Sequence, residues 1–492
     1  MSNNSIQNRV GYDRSALDTG IVHIGVGGFH RSHQALYVDG LLRQGKGDGW
    51  AICGVGVMPG DKAMRDALRQ EDMSYVLLSR AADGTEEVTR IGSITEYLWA
   101  PENPQAVIER IADPGTKLLT LTITEGGYNV DDVTGQFNLA EPSVAHDLTG
   151  EEAPKTAFGL VAAGLKLRSD NQAGPITILS CDNIQHNGKV AEVAFVEYAK
   201  ARYPELGEWI ADNVTFPSSM VDRITPATKP EDIKYLRSHY GIGTAWPVVA
   251  EDFAQWVIED DFVAGRPQFE LVGAQMVSDV APYEKLKLRF LNASHQALAY
   301  FGHLRGYEFA HDAVRDETIR ALVTEYMLDE AINTLDPVPG IDVREYSAKL
   351  LERFGNEAIA DTLERLGTDG SDRIAKFVLP VQRDLLRRGQ PSPRTSGIVA
   401  AWALVNELIR TGERPALAKD RQYEEITRLF TEADGNPERM IRSETIFGDL
   451  AGSEEFAGRV AQQYHQLVAA RSGTVKPSTN AAEVAARSAT SD

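Results

Sequence analysis

Cysteine is nearly absent: the 492 residues contain two, Cys53 and Cys181. Two thiols cannot build a disulfide framework or a four-cysteine zinc site, and such sparing use fits a reducing compartment, so a cytoplasmic location is expected. Basic side chains are outnumbered, with 50 Lys and Arg against 71 Asp and Glu and a formal net charge of −21. Phosphate-backbone binding is driven by cationic side chains, so no nucleic-acid partner is expected. No apolar run approaches the ~18 residues of a membrane span. The longest, "GIVAAWALVNELI" from Gly397, is interrupted by Asn406 and Glu407 and reads as a buried helix. The opening "MSNNSIQNRVGYDRS" has no apolar core of a secretory signal, so neither export nor a membrane partner is expected. Solenoid repeats and a coiled-coil seam are also missing, and a monomer is the expectation. His23, His30 and His33 cluster in sequence but lack the spacing and acidic partner of a zinc motif, so no metal is expected.

What is present points to an ordinary globular chain of several domains: 42% hydrophobic and 25% charged residues, at a length beyond one core. Up to about residue 285, short apolar strands alternate with amphipathic helices. "GIVHIGVG" (20–27) and "WAICGVGV" (50–57) enclose the helical "HQALYVDGLLRQG". "KLLTLTIT" (117–124), "PITILSCDN" (175–183) and "AWPVVAED" (245–252) are further strands. Continuous apolar strands separated by helices predict an α/β fold with a parallel sheet covered on both faces. Beyond that point helical periodicity takes over, as in "DETIRALVTEYMLDEAI" (316–332) and "YEEITRLFTEA" (423–433). The expected division is an α/β domain over 1–285 and a mainly α-helical domain over 286–475. A flexible Ser/Thr/Ala-rich tail is expected over 476–492.

The first strand runs into "IGVGGFHRSHQ", where Gly25 and Gly27 form a G-x-G ahead of a helix, with Gly28 and Phe29 following. Such glycines let a backbone turn tightly and approach a pyrophosphate, although His30 stands at the usual third glycine position. The second strand ends in "GVGVMPGDKAM". Its Asp61 is placed to accept hydrogen bonds from an adenosine ribose and to repel a 2′-phosphate, which favours NAD. Asp61 also reads as a helix cap, and the neighbouring Lys62 softens discrimination against NADP.

Four stretches carry polar groups where scaffold alone would not need them. "LTITEGGYN" ends a strand with Glu125. "SCDNIQHNG" places Asp182, Asn183, His186 and Asn187 after a strand, and "FPSSMVDRITP" sets Asp222 and Arg223 among apolar residues. Ligands in open α/β sheets bind beyond the carboxyl ends of strands, yet each stretch alone also reads as a turn or cap. The fourth, "KLKLRFLNASHQALAYFG", carries Lys287, Asn292 and His295, near 0°, 140° and 80° on an ideal helix. A lysine in apolar surroundings is desolvated toward its neutral, basic form, and asparagine N–H groups stabilise an alkoxide without titrating. Hydride transfer from a secondary alcohol needs both. The other reading is an amphipathic helix whose lysine reaches out to water.

Taken together and in order, "GVGGFHRSHQ", "TITEGGYN", "SCDNIQHNG", "MVDRITP", "WPVVAEDF" and "YEKLKLRFLNASHQALAYFG" resemble the mannitol dehydrogenase family, the polyol-specific long-chain dehydrogenases, over about residues 20–470. The resemblance implies a metal-independent enzyme with a Rossmann-type N-terminal domain, a helical C-terminal domain and an active site in the cleft between them. It implies Lys287 as catalytic base, Asn183 and Asn292 as oxyanion donors, and Glu284 in proton exchange with solvent. His295, Asp222, Arg365, Arg373 and Glu125 are implied to line or bind the substrate, and Gly25, Gly27, Gly28, Phe29 and Asp61 to hold NAD. Two departures stand out. Arg373 replaces a lysine of close relatives. Gly60 replaces a glutamate that some NAD-preferring members carry beside the aspartate, which leaves room for NADP.

The expected reaction is NAD-dependent interconversion of a polyol and a ketose, D-mannitol and D-fructose first. Arabinitol or glucitol oxidation and hexuronate reduction (fructuronate to mannonate), in which Arg365 and Arg373 would bind a carboxylate, are rivals within the enzymes. A catalytically silent, nucleotide-binding regulatory protein is the rival from another class.

Overall fold

In the computed structural model, which describes residues 4–131 and 134–471, the chain divides into two units, Met1–Ala281 and Pro282–Asp492. The expected tail over 476–492 lies outside the described residues. The first unit is organised by six parallel strands: β1 (Thr19–Ile24), β2 (Ala51–Gly56), β3 (Ile94–Trp99), β4 (Leu118–Leu121), β5 (Ile176–Ser180) and β6 (Val214–Thr215). Their order is β3-β2-β1-β4-β5-β6. This is the doubly wound arrangement, and the order reverses between β1 and β4. Strand side chains alternate between two apolar layers. Val22, Ile24, Leu119 and Leu121 pack with helices 104–112, 157–170 and 187–202. Ile21, Ile52, Leu118 and Leu179 pack with helices 34–43 and 62–70. Burial on both faces is why these strands read as continuous apolar runs rather than as alternating ones. Both cysteines are free and buried, Cys53 inside β2 and Cys181 just past β5.

One expected strand belongs elsewhere. Val248–Glu251 pairs in parallel with Tyr75–Arg80 in a mixed four-stranded sheet completed by Glu86–Ile91 and Ser5–Gln7. An apolar run reports burial, not which sheet edge receives it. A three-stranded sheet joins Ser219–Asp222, Gln255–Glu259 and Gln275–Val277.

The second unit is helical. Its first long element is a continuous helix over 281–305: an α segment to Lys287, a π segment Leu288–Asn292, and an α segment Ala293–Arg305 that ends at Gly306 with φ of 83°. Every residue from Ala293 to Leu304 is buried, so this segment is a central core helix rather than an amphipathic one. It packs on helices 310–315, 363–367 and 393–410. The 393–410 helix is capped by Glu330, whose carboxylate accepts from the backbone N–H groups of Arg394 and Thr395, each at 2.7 Å. No helix among the described residues is long and apolar enough to cross a membrane.

Candidate active site

In the first unit the polar residues gather at the carboxyl ends of the parallel strands. The turn after β1 requires glycine at Gly25, where φ is 97° and an added Cβ would strike the carbonyl oxygen of Thr122. The Gly25 N–H donates to Val55 O at 3.0 Å, and its carbonyl accepts from Thr122 Oγ1 at 2.6 Å. Because the Thr122 hydroxyl spends its proton on that carbonyl, its oxygen must accept from His23 Nε2, 3.0 Å away. His23 is therefore the Nε2–H tautomer, with Nδ1 accepting from Thr120 Oγ1 at 2.8 Å. Gln34 Oε1 lies 3.1 Å from the same Thr120 hydroxyl while its Nε2 lacks a partner. Turning the carboxamide over lets Nε2 donate to Thr120 and makes the chain of bonds run one way to Gly25.

His30, at the position of the usual third glycine, explains how that glycine is dispensed with. Its ring stacks on His23 at 3.4 Å with planes 16° apart, so the helix Gly28–Ser32 rests on β1 through two rings instead of through bare backbone. Burial pushes His23 down to about 3. His30 is held well below the usual imidazole range by burial first, then by His23 and Arg31. His33 donates from Nε2 to Gln255 O at 2.9 Å. These three histidines are thus packed into the scaffold. Among the described residues no group of three or more His, Cys, Asp or Glu is placed to hold a metal ion.

Gly27 precedes the helix Gly28–Ser32, and the Phe29 ring stacks on His33 at 4.9 Å. Past β2, Asp61 Oδ2 accepts from Met58 N at 2.8 Å, so Asp61 does cap a turn. Gly56 makes room for it, since a Cβ there would lie 2.6 Å from Asp61 Cβ.

The polar residues after β4 and β5 divide into a clasp and a presented side chain. Asp182 accepts from Ile123 N and Thr124 N, both at 2.9 Å, and from the Tyr128 hydroxyl at 2.8 Å. It thereby binds the 122–128 segment, where Thr124 sits at φ 68°, ψ 164°. The buried Asn187 donates to Asp182 O at 3.0 Å and to Ser219 O at 2.7 Å, tying the strand that ends at Asp222 to the same loop. Asn183 is exposed in that loop, while Asp222 is only 5% exposed. Glu125 lies in a short 3-10 turn, and its side chain is outside the described ones. Arg223, next to Asp222, donates to Glu251 O, Ser32 O and Ser79 Oγ and is committed to the scaffold.

In the second unit Glu284, Lys287, Asn292 and His295 share the helix 281–305 and are all buried, Lys287 at 6% exposure. Lys287 does not reach out to water. The π segment matters here. In an α-helix residues five apart are separated by about 140°, whereas a π-turn bonds i to i+5 and brings them one turn apart. Lys287 and Asn292 thus come onto one side, with His295 three residues on. Asn292 Oδ1 and His295 Nε2 are buried without a hydrogen-bond partner. His295 is held well below the ordinary imidazole range, first by burial and then by Arg365, Arg353, Arg373 and Lys287. Basic side chains thus add to burial in keeping this ring neutral. Arg353, 5% exposed, is the basic side chain among these that the sequence did not single out, an arginine on the apolar side of "KLLERF". Arg365 is clamped by Asp361, with both nitrogen–oxygen distances 2.5 Å, and Arg373 donates to Leu366 O at 3.0 Å. Gln296 donates to the same Leu366 carbonyl at 3.0 Å, fastening the arginine-bearing segment to the lysine helix.

A doubly wound sheet with a left-handed glycine turn and an acidic residue past the second strand, followed by a helical unit with a buried lysine, defines a two-domain dinucleotide-dependent dehydrogenase. The chain belongs to the mannitol dehydrogenase family. The model of the mannitol dehydrogenase Rossmann domain matches residues 19–271 and that of the mannitol dehydrogenase C-terminal domain matches 279–468. A mannitol 2-dehydrogenase of Aspergillus fumigatus is 40% identical over 467 residues, 94% of this chain and 92% of that one. A Pseudomonas fluorescens mannitol 2-dehydrogenase, solved in a ternary complex with NAD and D-mannitol, superposes with a TM-score of 0.84 at 40% identity, covering 95% of each chain. A D-sorbitol dehydrogenase solved in substrate-free form gives a TM-score of 0.86 at 34% identity over 98% of each.

Proposed function

We propose that this protein interconverts D-mannitol and D-fructose with NAD, by hydride transfer that needs no metal. The observation that carries the reading is the pair of buried, unmatched polar atoms on Asn292 and His295 beside the buried Lys287. Unmatched buried polar groups are costly unless a ligand completes them, and a polyol offers hydroxyls that both donate and accept.

The residues present fit a dinucleotide. Gly25 leaves bare backbone where a Cβ could not stand, Gly27, Gly28 and Phe29 continue that turn, and the Asp61 carboxylate past β2 would accept from a ribose hydroxyl. Bound there, NAD+ supplies the acceptor for the hydride leaving the carbinol carbon. Asp61 opposes a 2′-phosphate, while Gly60 adds no second negative charge, so NADP is tolerated but disfavoured.

Lys287 in its neutral form takes the hydroxyl proton, and Glu284, three residues earlier on the helix, passes it to solvent. Asn183 and Asn292 donate N–H to the developing alkoxide; for Asn292 this uses the rotamer that turns Nδ2 to the unmatched side. The neutral His295 holds a neighbouring substrate hydroxyl, and Asp222, Glu125, Arg365 and Arg373 grip the rest of the chain. The protein works as a cytoplasmic monomer in this reading, which light scattering of the purified chain tests for oligomeric state.

The test is NADH formation against mannitol, glucitol, arabinitol and mannonate, with NAD+ and NADP+ in parallel. Preference for mannitol with NAD+ is expected. The similarity to a D-sorbitol dehydrogenase supports glucitol as the second reading. NADH binding without turnover of any member of the panel would overturn both.

A further inference from the structure

The π segment 288–292 raises a question of what holds it. In a continuous α-helix the Ala293 N–H would bond to the carbonyl of Arg289, four residues back. Here it bonds to Leu288 O, five back, and shares its proton with Phe290 O, three back, while Arg289 O is passed over. The shift leaves the Arg289 carbonyl without its helical donor, and a part-buried carbonyl left unpaired would favour a return to α register. A side chain fills the place: the hydroxyl of Tyr326 donates to Arg289 O at 2.9 Å. Tyr326 is fully buried and comes from the helix that runs Glu317–Glu325 into its own π segment, Tyr326–Glu330. The Arg289 side chain is anchored as well, donating from one guanidinium nitrogen to Thr334 O at 2.9 Å and to Asp384 at 2.7 Å. The carbonyl and side-chain ends of Arg289 are thus both held in the widened register.

We propose that Tyr326 is a positioning residue for the reaction: by satisfying the Arg289 carbonyl it keeps the helix in the π register that sets Lys287 and Asn292 one turn apart. This rests on the reading of Lys287 as base and Asn292 as alkoxide donor. Relaxing the bulge to α geometry would move Asn292 by one residue step, about 100°, away from the side that carries Lys287. The Tyr326 hydroxyl acts through the Arg289 carbonyl, and it stays protonated: burial and Glu330 both raise it, against the opposing pull of Arg289.

The experiment is Tyr326→Phe, which removes one oxygen from a buried ring, with Lys287→Ala alongside. Expected for Tyr326→Phe is a fall in kcat of about ten- to a hundredfold, the scale of a lost hydrogen bond and of small misplacement of reacting groups. The NADH dissociation constant should stay within about twofold, and the pH–rate limb assigned to Lys287 should shift. A merely structural tyrosine would lower thermal stability while leaving kcat per folded molecule and the pH profile as they were, and that result overturns the proposal. If Lys287→Ala itself keeps full activity, the catalytic reading fails first. If Lys287→Ala is inactive and Tyr326→Phe keeps its rate and profile, only the positioning role of Tyr326 fails.

Discussion

Replacing Asp182 with asparagine keeps size and shape but removes one acceptor oxygen from the clasp next to Asn183. The carboxylate's acceptors include Oδ1 for Thr124 N, and Oδ2 for Ile123 N and the Tyr128 hydroxyl. An asparagine can keep the two Oδ2 bonds only by pointing Nδ2 at Thr124 N–H, which loses one bond to a charged acceptor and sets two donors face to face. A hydrogen bond to a charged group contributes ~1.5–3 kcal/mol, and an unsatisfied donor costs ~1–3 kcal/mol when buried and less for the part-buried Thr124 N. Thr124 sits at φ 68°, ψ 164°, a region ordinarily reserved for glycine. Its strain of ~1–3 kcal/mol is released once the clasp loosens and so offsets part of the loss. The net destabilisation expected for Asp182→Asn is ~2–4 kcal/mol. Urea unfolding of the parent and variant measures it. Steady-state kinetics should show kcat for polyol oxidation reduced at least about tenfold, because Asn183 follows directly in the chain, with KM for NAD+ little changed. A variant within ~0.5 kcal/mol of the parent, with unchanged kcat, would refute the reasoning that Asp182 shapes this loop.

Lys287→Ala should lower kcat at neutral pH by about 10²–10⁴-fold while NADH binding measured by fluorescence stays close to the parent; full activity would sink the base assignment. Thr122→Val removes the hydroxyl that both accepts from His23 and donates to Gly25 O. It should raise KM for NAD+ about tenfold, whereas Thr122→Ser should restore it, and equal behaviour of the two variants would show the hydroxyl to be idle. Acid should destabilise the fold through its buried neutral histidines. His23 is pushed down to about 3, and His30 and His295 lie well below the usual range. Each binds a proton in the unfolded chain below about 6.5 but not in the fold. Their stabilisation is therefore complete above about 6.5 and is lost as pH falls toward 3, by up to ~1.4 kcal/mol per pH unit for each. Urea midpoints that stay flat from pH 7.5 to 5.0, or a slope unchanged by His295→Gln, would contradict this.

How far the sequence carried can be read residue by residue. Apolar runs announced β1, β2, β4 and β5 because strands buried on both faces must be apolar throughout, and the change of periodicity near residue 285 marked the passage to helices. The grouping of Lys287, Asn292 and His295 was legible because such side chains are rare among buried leucines and alanines. The division of labour within "SCDN" was not: both Asp182 and Asn183 follow a strand, and only the donors arriving from the 122–128 segment make one a clasp. His30 looked like a defect in a glycine pattern until its ring was found stacked on His23. Nor could Val248–Glu251 be assigned to its sheet, since pairing with Tyr75–Arg80 is a choice among edges.

By itself, then, the sequence determined where strands yield to helices and which chemical groups are available. The tertiary structure alone decided register. A helix widens by one residue at 288–292 because a hydroxyl 37 positions away meets the carbonyl that the widening frees. Local periodicity averages over several turns of near-equal energy, whereas a single hydrogen bond from a distant side chain is enough to select among them.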